Sequence, residues 1–138
     1  MINTDIPLEA INAMGQGNMV EYLGIEFTEV HPDGLTARMP VDHRTRQPMG
    51  LLHGGASVVL AETVGSVASH LYIDKEKYYC VGLDINANHL KAAKQGFVYG
   101  RAKALHVGRR THVWEIRIVN ENQQLVCISR LTMAVVER

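Results

Sequence analysis

The chain has only two cysteines, Cys80 and Cys127, far apart and in neither a metal nor a redox spacing. They read as reduced core residues of an intracellular protein. The seven histidines are scattered, without the paired spacing of a zinc site, so no metal is expected. Phosphate loops, dinucleotide fingerprints and Gly-x-Ser-x-Gly elbows are absent, so no cofactor is expected either. No signal-peptide pattern and no bilayer-spanning apolar run occurs, so the expected location is cytoplasmic, away from membrane. Formal net charge is zero, which removes any bulk electrostatic reason to bind nucleic acid or a membrane surface. Repeats, low-complexity tracts and linkers are missing. The 138 residues are expected to form one domain, 1–138, with its own core.

Charge is missing locally as well. From Met1 to Ala37 there is no Lys or Arg, but there are six acids: Asp5, Glu9, Glu21, Glu26, Glu29 and Asp33. From Lys91 to Arg110 there is no acid, but there are six bases: Lys91, Lys94, Arg101, Lys103, Arg109 and Arg110. Any one of these bases reads as a solvated side chain. As a block they could attract phosphates. Between Arg46 and Asp74 the one Asp, Glu, Lys or Arg is Glu62.

That last stretch organises the chain. Gln47-Pro48-Met49-Gly50 is a turn-rich approach loop. His53-Gly54-Gly55 follows, then a run to about Leu71 with apolar residues at helical spacing. The helix is nearly apolar all round, which predicts burial. Glu62 has Val58, Val59, Gly65 and Ser66 as helical neighbours, so no local cation pairs with it. A carboxylate buried without a partner is costly; it shifts its pKa or is kept for function. The two glycines leave backbone N–H groups bare at the helix start, an anion or oxyanion site. Together these features suggest acyl chemistry.

Elsewhere the pattern predicts a short helix from Pro7 to about Met14, capped by Thr4 or Asp5. A half-buried strand runs from about Ile25 to Val30, and a second from Leu35 to Val41. After the long helix come strands at Tyr78–Ala87 (Val81, Leu83 and Ile85 on one face), Phe97–Leu105, Thr111–Val119 and Leu125–Val136. Met14, Met19 and Met49 read as pocket or core fillers. The fold class is α+β, an antiparallel sheet packed on one long central helix. The sheet's other face needs cover, so an oligomer is expected.

At this point the sequence resembles the hotdog-fold acyl-CoA thioesterases. The residues that carry the resemblance are Gln47-Pro48-Met49-Gly50-Leu51-Leu52-His53-Gly54-Gly55, Ala61-Glu62-Thr63 and Gly65-Ser66, with Val81 through His89 and Trp114. It is similar to the 4-hydroxybenzoyl-CoA thioesterase branch that carries Glu on the central helix. Within that branch it is closest to enzymes acting on 1,4-dihydroxy-2-naphthoyl-CoA in menaquinone synthesis, and to the enterobactin-pathway proofreading thioesterase.

The resemblance implies hydrolysis of an acyl-CoA, with an aromatic acyl group, to the free acid and CoA. It gives Glu62 as nucleophile or general base, and Gly54 N–H as donor to the thioester carbonyl. Gln47, His53 and Ser66 would stand near the reacting group. For His53 the rival is a purely structural hydrogen bond; for Ser66 and Gly55 it is helix packing. The substrate would lie along Gly55, Val81, Gly82, His89, Leu90, Lys91, Ala92, His106, Val107, Gly108, Arg109, Arg110 and Thr111. The implied assembly is a homo-oligomer, commonly a dimer of dimers, with each active site at a subunit interface. Two other readings remain open: a thioesterase for acyl groups on a carrier protein, and a non-catalytic acyl-CoA-binding protein.

Overall fold

The computed structural model describes residues 1–138. A short helix α1 (Leu8–Ala13) and a single turn α2 (Met19–Tyr22) precede two strands, β1 (Glu26–His31) and β2 (Gly34–Pro40). The long helix α3 (Gly54–Tyr72) follows, then β3 (Tyr78–His89), β4 (Phe97–Val107), β5 (Thr111–Val119) and β6 (Leu125–Glu137). All six strands form one antiparallel sheet in the order β1-β2-β4-β5-β6-β3. Thus α3 leaves β2 near one edge, crosses the sheet, and delivers the chain to β3 at the other edge. A sheet wrapped on one central helix is the hotdog fold, and the expected α+β class holds.

The core lies between α3 and the sheet. Leu60, Ala61, Val64 and Ala68 of the helix are fully buried with Trp114, Ile116, Ile118 and Leu131 of the strands. Gly65 permits the close approach. A Cβ there would stand 2.6 Å from Leu131 Cδ2, well inside contact distance.

Several local expectations need correction. No side chain caps α1; Pro7 holds the N-cap position instead of Thr4 or Asp5. α2 was not expected, because four residues are too few to show a period. Its cap is Asn18, whose side chain accepts the Val20 N–H over 3.0 Å. A bulge between Gly82 and Asp84 breaks the alternation of β3. Val81 and Leu83 are therefore exposed while Ile85 packs on the core, so the three do not share one buried face. Met14, Met19 and Met49 are exposed in the chain and lie outside its core, with Met19 bordering an open surface pocket. Cys127 is buried and Cys80 half-buried; both are free, with thiols pushed up by burial.

The two edges differ. β1 is six residues long, bulged after Phe27, and carries Glu26 and Glu29. β3 is twelve residues long with Asp84 as its one Asp, Glu, Lys or Arg. Short, bulged and charged strands blunt an edge; a long strand with a single charge leaves more of its backbone groups open to pairing.

Candidate functional site

The approach loop folds back on itself before α3. Gln47 N–H donates to Leu51 O (2.8 Å), Gly50 N–H to Gln47 O (2.9 Å), and the Gln47 side-chain oxygen accepts the Met49 N–H. Leu52 N–H donates to Ala93 O (2.8 Å) and the Arg46 guanidinium to Lys94 O. These bonds fasten the loop to the segment after β3. As a result Gln47, Gly54, His89, Leu90, Lys91 and Ala92 border one cavity of about 380 Å³. Leu51, Leu52, Ser57 and Val126 complete its wall and were not anticipated. Ser57 had a legible signal: it lies one helical turn after Gly54.

His53 is the N-cap of α3. Its Nδ1 accepts the Gly55 N–H at 2.8 Å, a structural hydrogen bond at the helix start. That bond occupies Gly55. The next two helical N–H groups, of Ala56 and Ser57, both donate to His53 O. Gly54 N–H, at the positive end of a nineteen-residue helix, has no partner. His89 lies directly over it; a Cβ on Gly54 would stand 2.8 Å from His89 Nε2. Gly54, with its free N–H, therefore stands at the border of the cavity with Gln47 and an imidazole.

Glu62 stands on α3 two turns further along and is half-buried rather than fully buried in the chain. It takes part in none of the chain's ion pairs. Its carboxylate rests on β3, where a Cβ on Gly82 would meet Glu62 Oε1 at 2.5 Å. The absence of a side chain at Gly82 makes that seat. Ser66, one turn later, donates its hydroxyl to Met133 Sδ (3.6 Å). Eight residues of helix separate Gly54 from Glu62, a rise of about 12 Å.

The remaining residues of the resemblance lie elsewhere. Val107, Gly108, Arg109 and Arg110 border a second cavity, of about 640 Å³, with Tyr72, Tyr78 and His112. It sits at the other end of α3, roughly 27 Å from Gly54 along the axis. Thr111 opens β5, where its carbonyl accepts the Gly108 N–H, and His106 packs against Gly108. The basic block is only partly free. Arg101 is paired with Asp33 of the acidic amino-terminal block, which holds that carboxyl below its usual range. Lys91, Lys94, Arg109 and Arg110 are exposed and unpaired. Nowhere do three His, Cys, Asp or Glu side chains gather as a metal set would.

An unpaired carboxylate and a bare helix-start N–H on a hotdog scaffold are groups that acyl-transfer hydrolysis could use. The family model described as "Thioesterase superfamily" matches residues 49–127, more than half of the chain. The chain is 57% identical over 130 residues to 1,4-dihydroxy-2-naphthoyl-CoA hydrolase of Escherichia coli, covering 94% of this chain and 95% of that one. It is 51% identical over 128 residues to proofreading thioesterase EntH of Cronobacter turicensis, covering 93% of each. A crystal structure of mutant thioesterase PA1618 from Pseudomonas aeruginosa superposes with a TM-score of 0.96 at 51% identity, covering 99% of each chain. The chain belongs to the thioesterase superfamily and is a thioester hydrolase.

Proposed function

We propose that the protein hydrolyses aromatic acyl-CoA thioesters at a site shared between two copies. Glu62 comes from one copy, and Gln47 with Gly54 from the other. The observation that carries this reading is the separation of Glu62 from Gly54 along one helix, while both stay unpaired. The long open edge of β3 supports the same arrangement. Antiparallel pairing of two β3 strands about a two-fold axis brings the His89 end of one toward the Gly82 region of the other. The Glu62 carboxylate rests on Gly82, and His89 covers Gly54, so the two halves would meet there.

The chemistry follows from these groups. As the thioester carbonyl is attacked its oxygen gains charge, and Gly54 N–H, backed by the helix dipole, donates to it. Glu62 either attacks the carbonyl carbon, forming an anhydride that water then opens, or removes a proton from the attacking water. Both routes release the CoA thiolate and a carboxylic acid. Gln47 contacts the thioester or positions the water. Ser66 stands one turn from Glu62 to assist with water or substrate. His53 supports the loop through its cap. The pantetheine arm runs past Val81, Gly82 and Gly55 and along His89 to Ala92. The phosphates meet the turn from His106 to Thr111, with Arg109 and Arg110.

The substrate favoured is 1,4-dihydroxy-2-naphthoyl-CoA, supported by 57% identity to the E. coli hydrolase of that name. A second reading, an acyl group on a carrier protein, is supported by similarity to the proofreading thioesterase. The test is free-thiol release from naphthoyl, benzoyl and medium-chain acyl-CoAs, and from the same groups on carrier. Glu62→Gln should lower turnover of the aromatic CoA esters by at least about a hundredfold without changing the assembly. Release from carrier alone would select the second reading. Native protein that cleaves neither would overturn both.

A further inference from the structure

Three side chains outside the groups just described form a buried hydrogen-bonded chain. Ser69 lies on α3; His112 and Trp114 lie on β5; all three are buried. The Trp114 indole N–H donates to Ser69 Oγ over 2.7 Å, and His112 Nδ1 stands 3.0 Å from the same oxygen. An indole nitrogen only donates, so the hydroxyl accepts there. Its bond to His112 Nδ1 takes its direction from the ring tautomer, and either direction ties the imidazole to α3. Tyr72, three residues after Ser69, packs edge-on against both rings, with centroids 6.1 Å from His112 and 5.8 Å from Trp114. Its hydroxyl donates to Pro32 O (3.1 Å).

The other side of His112 meets the turn between β4 and β5. The Gly108 carbonyl faces its ring, and His112, Tyr72, Gly108, Arg109 and Arg110 border the same cavity. The turn itself holds two backbone bonds: Gly108 N–H to Thr111 O (2.9 Å), and Val135 N–H to Arg110 O (2.8 Å). Both bind it to neighbouring strands, and neither refers it to the helix. An apolar side chain at His112 would fill the space without fixing a direction; a satisfied polar network fixes one.

We propose that His112 is a positioning residue for the substrate's phosphates. Through Ser69 and Trp114 it holds the Gly108–Arg110 turn in a set place relative to α3, the helix that carries Glu62 two turns upstream. The distance between the arginines and the reacting carbonyl is thereby referred to one rigid element. This inference rests on the reading that the turn receives the phosphates of CoA.

The test compares an acyl-CoA with the same acyl group on pantetheine, which lacks the nucleotide phosphates. Four proteins are assayed for thiol release: native, His112→Phe, Ser69→Ala, and the double variant Arg109→Ala, Arg110→Ala. The arginine variant should raise KM for the CoA ester about tenfold and leave the pantetheine ester unmoved. His112→Phe and Ser69→Ala should raise the same KM several-fold, again without moving kcat or the pantetheine ester. A loss of packing alone would affect both esters equally. If the arginine variant leaves the CoA-to-pantetheine ratio unchanged, the phosphate reading of the turn fails, and this inference with it. If the arginines move the ratio while His112→Phe and Ser69→Ala do not, the positioning role alone is overturned. Should His112→Phe not fold, Ser69→Ala decides.

Discussion

Gly54 combines two features in one residue: an N–H without a partner and no side chain toward His89. A Cβ there would lie 2.8 Å from His89 Nε2, so Gly54→Ala must displace the imidazole or the helix start. The expected result is a fall in kcat/KM of roughly ten- to a hundredfold, since a small misplacement of an oxyanion donor is expensive. His89→Ala added to Gly54→Ala removes the clash. The double variant should therefore be more active than the product of the two single effects, which a double-mutant cycle measures. A fully additive cycle would mean that the two residues do not press on each other. The isolation of Glu62 from any ion pair was legible from sequence because it lacks charged company over a long stretch. The network of Ser69 with His112 was not, since 43 residues separate the partners and neither is unusual where it stands.

At the scale of elements, β5 and β6 were readable because their inner faces meet α3 and their outer faces do not, so polarity alternates. β3 was harder. Its bulge at Gly82–Asp84 changes which side chains face inward, and a period of two cannot register one extra residue. The helix was found for its spacing, but its nearly uniform apolarity overstated its burial. Within one chain the face with Leu60, Ala61, Val64 and Ala68 is buried, while Glu62, Thr63 and Ser66 are half-buried. The cavity lined by Gln47 and His89 could be read only from the resemblance and not from spacing, because loop-to-loop bonds such as Leu52 to Ala93 bring its walls together. The seam between α3 and the sheet gives a direct test. Gly65→Ala places a methyl group 2.6 Å from Leu131 Cδ2, and should lower unfolding free energy by about 1–3 kcal/mol, read from denaturant midpoints. Pairing it with Leu131→Ala should recover part of that loss.

For the whole molecule, acid should weaken the fold in two steps. Burial holds His112 below its ordinary 6.5, and His70 likewise, burial first and then Lys75 and Arg138. The unfolded chain takes up those protons near pH 6.5 while the folded chain resists. Their contribution is therefore full above 6.5 and is lost as pH falls through the lower folded values. Arg44 holds Asp42 at about 2 instead of 3.8, by side-chain hydrogen bonds first. That contribution is full above 3.8 and disappears toward pH 2. Denaturant midpoints across pH should show both steps, with the first reduced in His112→Phe. Assembly gives a second test of the whole molecule. Glu62→Gln and Gln47→Ala should each be nearly inactive alone, yet co-refolded in equal amounts they should regain roughly a quarter of native activity, because half the pairs are mixed and one site in two is intact. No recovery would place the whole site within one copy. The crossing of α3 from one edge of the sheet to the other, with Gln47 before it and Glu62 along it, then has a genetic consequence. On the proposed shared-site arrangement, a copy defective at Glu62 alone would still lend its Gln47 and Gly54 to a healthy companion, and such an allele would behave as recessive. A copy defective at both Gln47 and Glu62 would silence both sites of every pair it joined, and that allele would be dominant.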